Sequence, residues 1–165
     1  MIKKFNYYFI TLFIFGNLIE KYRGTWASLF TTLFLFSFIH ILKISIVILL
    51  ILFLIILFYA FYAIKSSLAN FKNDDPQEIV IDEFIGQSIP ICLYEIAHEG
   101  IKDTSQLLTF YFIMFILFRI FDIAKPYPVS YYDKNFKNSF GVIMDDVVAG
   151  LYVVAILVLY MVLST

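Results

Sequence analysis

Charged residues are few in this sequence. Only 15% of its 165 residues are Asp, Glu, Lys or Arg, whereas a soluble domain averages roughly 25%. Hydrophobic residues make up 62% of the chain, so the composition predicts an integral membrane protein. The net charge is -1, and we therefore expect no nucleic-acid partner. The length fits a single domain over residues 1–165, for which we predict no obligate protein partner.

Cysteine and histidine are also scarce, and this excludes several catalytic designs. Cys92 is the only cysteine, so the chain can form neither an intrachain disulfide nor a thiolate metal cluster. No arginine lies near Cys92 in the sequence, which excludes a phosphatase loop built on a cysteine nucleophile. The two histidines, His40 and His98, are separate from the acidic motifs, which argues against a histidine nucleophile.

Long uncharged runs predict an all-α membrane protein, a polytopic bundle of about five membrane-embedded helices. The clearest run, 44–64, would extend about 31 Å at the α-helical rise, which is enough to cross a bilayer. Residues 5–15 form a shorter apolar run, and we expect a short N-terminal interfacial or re-entrant segment there. The predicted membrane-embedded helices cover residues 26–42, 44–64, 79–97, 107–124 and 142–163.

Two polar segments carry helix-start signals. In GNLIEKYRGTWAS (16–28), Thr25 is a plausible N-cap, and free backbone N–H groups at the helix start could hold a phosphate. In DPQE (75–78), Asp75 can be the N-cap, Pro76 the first helical residue and Glu78 the reciprocal partner. The sequence therefore predicts a helix start at each of these segments.

The distribution of lysine and arginine predicts the orientation in the membrane. With the N-terminus in the cytoplasm, nine lysines and arginines fall in cytoplasmic segments and only Lys43 and Lys102 fall outside. The same assignment places the acidic ends of three helices, and the 16–28 segment, at the cytoplasmic face. Both histidines fall at the opposite face. We therefore expect a multi-pass protein of the bacterial cytoplasmic membrane with its active site at the cytoplasmic face.

Five carboxylates converge on that face, and they need a physical reason to be there. Bare like charges repel, and a divalent cation would relieve the repulsion. Oxygen ligands without histidine or cysteine favour Mg²⁺ or Mn²⁺. Arg119 and Lys125 supply positive charge for a phosphate beside this acidic cluster. We define the acidic cluster as Asp82, Glu83, Asp122, Asp145 and Asp146.

A carboxylate one helical turn before a glycine occurs twice. Asp82 precedes Gly86 by four residues, and Asp146 precedes Gly150 by four. Glycine on a helix face lets another backbone come close, so we predict that these two helices pack tightly with their acids facing each other. The spacing predicts that Asp82 lies within metal-sharing distance of Asp146 or Asp122.

Several motifs together resemble the phosphatidylglycerophosphatase A family. They are IDEFIG (81–86), FRIFDIAKPYPV (118–129), the Asp133 that follows, GVIMDDVVAG (141–150) and, at the N-terminal loop, GTWAS (24–28). The chain departs from the family pattern at Arg23, where the family has Pro, at Ala27, where it has Gly, and at Asn138-Ser139, where it has Gly-Gly. Every acidic position of the pattern is kept.

The resemblance implies a Mg²⁺-dependent lipid phosphatase that converts phosphatidylglycerophosphate to phosphatidylglycerol. The catalytic carboxylates would be Asp82, Asp122, Asp145 and Asp146. Metal ligands would come from Asp82, Glu83, Asp122 and Asp146, and the metal would help to orient a water molecule for in-line attack. The phosphate would be bound by Arg119, Lys125 and Thr25.

Two other classes of protein stay open at this stage. An ion or small-solute transporter also uses intramembrane carboxylates, although it predicts acids spread through the depth of the bilayer. A membrane scaffold without catalytic activity predicts no dependence on a metal. The acidic pair Asp145-Asp146 alone could be helix capping, and Arg119 with Asp122 alone could be a structural ion pair.

Overall fold

The computed structural model describes residues 2–13, 15–18, 21–68, 71, 76–97 and 103–164, and these residues form an all-helical bundle. Helix α3 continues into a π-helical segment, Ser37–Ile41, and α7 is a short helix after the third long span. The described helices are α1 (Ile2–Ile10), α2 (Phe15–Leu18), α3 (Arg23–Phe36), α4 (Ile46–Ser67), α5 (Ile81–Ala97), α6 (Thr104–Ala124), α7 (Val129–Asn135) and α8 (Ser139–Ser164).

Within the residues that the structure describes, four segments are long and apolar enough to cross a membrane. They are Arg23–Ile41, Ile46–Ser67, Thr104–Ala124 and Ser139–Leu163. Large apolar side chains cover their outer faces; Phe58 is 70% exposed and Leu163 is 77% exposed. Such surfaces suit contact with lipid rather than water. The predicted class, an all-α polytopic membrane bundle, is confirmed.

Helix α5 is the centre of the bundle. It has 17 residues and carries two acids in its first turn and Gln87, Ser88 and Pro90 further along. It packs against α3, α4, α6 and α8, and most of its side chains are buried. Neighbouring helices therefore shield the polar side chains that lipid would disfavour.

The N-terminal segment is held against α4. The side chain of Asn6 is buried; its amide donates to Ser66 Oγ at 2.6 Å, and its oxygen accepts from the Tyr59 hydroxyl at 2.6 Å. The run 5–15, predicted as an interfacial or re-entrant segment, thus contains most of α1 and the start of α2. Neither helix is long enough to cross a bilayer.

Both predicted helix starts are wrong by several residues. Helix α3 begins at Arg23, before Thr25, and it follows Tyr22 in the left-handed conformation. Helix α5 begins at Ile81, although Pro76 was the predicted first residue. The backbone between Pro76 and Ile81 is not helical. Its last residue, Val80, instead donates its N–H to the carbonyl oxygen of Ile10 at 2.9 Å. The predicted cap Asp75 lies outside the described residues.

Helices α5 and α8 cross at two glycines, as the sequence predicts. A Cβ atom built on Gly86 would lie 2.7 Å from the Asp146 carbonyl oxygen and 2.6 Å from the Phe118 ring. A Cβ atom on Gly150 would collide with the Gly86 carbonyl oxygen. The two backbones are therefore in direct contact, and this contact brings the acidic first turn of α5 next to Asp145 and Asp146, about two turns into α8.

A polar cluster ties three helices at the opposite end of the bundle. His40 Nε2 lies 3.2 Å from Glu95 Oε1, and the Tyr111 hydroxyl donates to the same carboxylate oxygen at 3.0 Å. His40 comes from the π-helical segment after α3, Glu95 from α5 and Tyr111 from α6. His40 thus lies opposite to the acidic cluster, whereas His98 lies outside the described residues.

Candidate active site

The acidic cluster surrounds one cavity at the end of the bundle where α3, α5 and α8 begin and α6 ends. The cavity has a volume of about 270 Å³ and is lined by all five acids together with Gly24, Arg23 and Lys125. Acids in the first turn of α5 are favoured by the partial positive charge of that helix end. Carboxylates from three helices therefore meet, as the orientation and the glycine spacing predict.

Three of the acids form a compact oxygen-donor group. One carboxylate oxygen from each of Asp82, Glu83 and Asp146 lies within 4.8 Å of the other two. Among the described residues, Glu83 Oε2 and Asp146 Oδ1 are buried and have no hydrogen-bond partner. Buried acceptors without a donor are costly, and hard oxygen donors suit a divalent cation. The predicted proximity of Asp82 and Asp146 is confirmed.

Asp122 lies on the same cavity but has a different partner. Its carboxylate forms an ion pair with Arg119 one turn earlier in α6. The Arg119 Nη1 atom also lies 3.4 Å from Ser28 Oγ in α3. Asp122 thus holds a guanidinium group that lies next to Gly24 but is not among the side chains that line the cavity. Asp122 itself is not part of the three-carboxylate group that the described side chains form.

Lys125 links the cavity to helix α7. It ends α6 in the left-handed conformation, and its ammonium group donates to Asp133 Oδ1 at 2.7 Å and to Asp145 Oδ2 at 2.8 Å. Burial lowers the pKa of Lys125, but the charge of Asp145 and the two hydrogen bonds outweigh burial and raise the pKa above its ordinary value. The pKa of Asp133 is lowered because the hydrogen bond from Lys125 and nearby lysines outweigh its partial burial.

Gly24 allows the start of α3 to reach the acids. A Cβ atom on Gly24 would collide with the Glu83 carboxylate and would lie 3.0 Å from Arg119 Nη1. Thr25, the predicted phosphate-binding residue of this segment, sits in the first turn of α3 and does not line the cavity. In the described part of the chain, the backbone at Gly24 reaches the site and the Thr25 side chain does not.

Sequence reasoning missed two residues near this site. Arg23 lines the cavity and lies 3.7 Å from Glu78 in an ion pair. Gln87 is fully buried one turn after Glu83. Arg23 could have been found, because it precedes Gly24 in a motif already singled out. Gln87 follows the IDEFIG motif inside an apolar run, and only the packing of the helices reveals its burial.

The fold and the site together define a class. This is a polytopic α-helical membrane protein whose site combines a compact group of carboxylate oxygens with cationic side chains. The family model described as phosphatidylglycerophosphatase A matches residues 8–161. The chain therefore belongs to the phosphatidylglycerophosphatase A family.

Curated relatives agree with this assignment. The phosphatidylglycerophosphatase A of Haemophilus influenzae is 32% identical over 145 residues, which cover 86% of this chain and 81% of that protein. The phosphatidylglycerophosphatase A of Escherichia coli is 34% identical over 83 residues, covering 50% of this chain and 43% of that protein. A Bacteroides thetaiotaomicron protein provisionally named phosphatidylinositol-3-phosphatase is 40% identical over 79 residues, covering 48% and 45%. No solved structure matches the chain.

Proposed function

We propose that this protein hydrolyses the terminal phosphate monoester of phosphatidylglycerophosphate, giving phosphatidylglycerol and inorganic phosphate. The observation that carries the proposal is the group of Asp82, Glu83 and Asp146 beside the cavity that Arg119 and Lys125 approach. The family membership and the name of the Haemophilus relative support the same substrate. The diacylglycerol part of the substrate stays in the bilayer while its phosphate enters the cavity.

We propose Mg²⁺, or Mn²⁺ in its place, as the cofactor, held by Asp82, Glu83 and Asp146. The donor set fits, because it consists of carboxylate oxygens of which two are buried without a donor in the described structure. Asp122 lies at the same cavity and can join this set if its pairing with Arg119 is exchanged. When bound, the cation supplies positive charge for the phosphate and promotes ionisation of a water molecule.

The side chains of this protein position and neutralise the phosphate. Arg119 and Lys125 bind its equatorial oxygens, and Asp122 and Asp145 hold these two cations in place. A carboxylate of the acidic cluster takes a proton from water as the water oxygen attacks phosphorus in line. The bond from phosphorus to the glycerol oxygen breaks, and that oxygen takes up a proton as phosphatidylglycerol leaves.

We propose that the site faces the cytoplasm of a bacterial cell, in the cytoplasmic membrane. The excess of lysine and arginine in the segments at the site's end of the bundle supports this orientation. Phospholipid headgroups at that face would then reach the cavity without leaving the membrane surface.

The distribution of acids does not favour a transporter. The described spans carry no acid between the acidic cluster at one end and Glu95 at the other, and Glu95 is paired with His40 and Tyr111. An ion path through the bilayer would need polar side chains along its depth. A purely structural scaffold would leave the buried carboxylate oxygens at the cavity without a purpose.

One assay tests both the substrate and the cofactor. Purified full-length protein would be mixed with phosphatidylglycerophosphate in detergent micelles, and phosphate release measured with Mg²⁺, with chelator, and after Mg²⁺ is restored. We expect hydrolysis that stops with chelator and returns with Mg²⁺. Phosphatidylinositol-3-phosphate serves as the comparison substrate. Absence of phosphate release from phosphatidylglycerophosphate would refute the activity, and full activity in chelator would refute the cofactor.

A further inference from the structure

Gln87 is a buried polar side chain that the proposed mechanism does not use. Its exposure is 0%, and within the described structure neither its amide nitrogen nor its amide oxygen has a hydrogen-bond partner. A buried amide without partners is unfavourable, and apolar residues of similar size would fill the position at lower cost. The position therefore calls for an explanation beyond packing.

Helix spacing and the neighbouring contacts place Gln87 one turn from Glu83 and at the level of Arg119. Gln87 follows Glu83 by four residues, so the two side chains lie on the same face of α5 one turn apart. The neighbouring Gly86 packs on the ring of Phe118, the residue before Arg119 in α6. The third helix, α3, contributes Gly24 and Ser28, which are also one turn apart. A Cβ atom built on Gly24 would lie 3.0 Å from Arg119 Nη1, and Ser28 Oγ lies 3.4 Å from the same atom. Gln87, Arg119 and Ser28 thus occupy the same level of the bundle.

The unpaired atoms at this level have complementary chemistry. Arg119 Nε is a buried donor without a partner among the described residues, and Glu83 Oε2 is a buried acceptor in the same situation. The Gln87 side chain offers one acceptor oxygen and one donor nitrogen. The structure shows no direct hydrogen bond between these atoms, so one amide can accept from Arg119 Nε and donate to Glu83 through enclosed water molecules.

We propose that Gln87 is a positioning residue for phosphate binding: its amide fixes the Arg119 guanidinium group and the Glu83 carboxylate in the orientation that the substrate phosphate requires. The inference rests on the phosphatase activity proposed above. Gln87 acts through Arg119 and touches neither the substrate nor the cation. Arg119 presents its Nη atoms to the phosphate, while the Gln87 amide accepts the hydrogen bond from Nε, through water, on the other side of the guanidinium group.

The first test compares Gln87→Leu with Ser88→Ala in purified full-length protein. Leu has a similar volume and no polar atoms, and Ser88 is a buried neighbour whose hydroxyl donates to the Phe84 carbonyl oxygen of its own helix. For Q87L we expect the KM for phosphatidylglycerophosphate and the Ki for inorganic phosphate to rise about tenfold, as for a lost hydrogen bond to a charged group. The melting temperature should not fall, and S88A should behave like the wild type.

The second test asks whether the effect passes through Arg119. Lysine has no Nε–H donor at the corresponding place, so in an Arg119→Lys background Q87L should change the Ki for inorganic phosphate by no more than about twofold. Unchanged KM and Ki in Q87L, or additive effects of Q87L and R119K, would overturn the inference. Failure of the wild-type protein to release phosphate would instead refute the activity itself.

Discussion

At the scale of single residues, Asp145 and Asp146 show that neighbours in sequence take different roles. Successive side chains on a helix point about 100° apart, so the two carboxylates face different partners. Asp145 accepts a hydrogen bond from Lys125, whereas Asp146 joins Asp82 and Glu83 in the oxygen-donor group. Asp146 is the acid of this pair that a cation would need.

Asp146→Asn should reduce hydrolysis of phosphatidylglycerophosphate at least a hundredfold. Asparagine keeps the size of the side chain but removes the negative charge from the three-carboxylate group. The melting temperature without Mg²⁺ should not fall, because the substitution relieves repulsion between like charges. Phosphate release and thermal unfolding of the purified variant measure the two effects.

Asp103→Asn is the matched control, since Asp103 is an exposed acid at the opposite end of the bundle. It should retain full activity. Wild-type activity in D146N would contradict the assignment of the site, and an equal loss in both variants would point to a general effect on the protein.

How far the sequence predicts single residues depends on the signal that each one carries. The acidic cluster could be found because charges next to long apolar runs are rare and need a purpose. Glu95 and Gln87 could not, since each lies in an apolar stretch without a motif; the partners of Glu95 come from other helices, and only packing reveals the burial of Gln87. The position of Thr25 does not support its predicted role in phosphate binding, because Gly24 lines the cavity and the threonine side chain does not.

At the scale of helices, the crossing of α5 and α8 determines the geometry of the site. Contact between Gly86 and Gly150 brings the two backbones together one turn beyond Asp82 and Asp146. The sequence predicted this crossing from the repeated spacing of acid and glycine. It did not predict the start of α5, because the residues before Ile81 bond to the end of α1, a contact that is distant in sequence.

Gly150→Ala tests the crossing through the sign of its effect on stability. In an isolated helix alanine is favoured over glycine by about 1 kcal/mol. Here the new methyl group would collide with the Gly86 carbonyl oxygen, and overpacking costs about 1–3 kcal/mol. We expect a lower melting temperature and reduced activity, because the acids on the two helices would separate.

Leu151→Ala provides the comparison on the same turn of α8, since Leu151 is an exposed side chain on the outer face. It should leave activity unchanged. A higher melting temperature for G150A than for the wild type would show that helix propensity prevails and that the two backbones are not in close contact.

At the scale of the whole molecule, the bundle places all site residues at one end and the cluster of His40, Glu95 and Tyr111 at the other. Uncharged runs and the positive-inside rule predict this polarity without any knowledge of packing. Four predicted spans coincide with helices that are long and apolar enough to cross a membrane. The central position of α5 could not be predicted in this way, because it depends on the shielding of polar side chains by its neighbours.

The proposed orientation can be tested by labelling single cysteines with a membrane-impermeant maleimide. The only native cysteine, Cys92, is buried and would be replaced by serine to give a background without thiols. Tyr127→Cys places a thiol in the 76% exposed turn between α6 and α7, beside the site, and Asp103→Cys places one at the opposite end. With the site in the cytoplasm, intact spheroplasts should be labelled at residue 103 alone, and residue 127 should react only after lysis. Labelling of residue 127 in intact spheroplasts would place the cavity on the outer face and contradict the proposed orientation. The segments rich in lysine and arginine beside the cavity would then lie outside the cell, against the positive-inside rule.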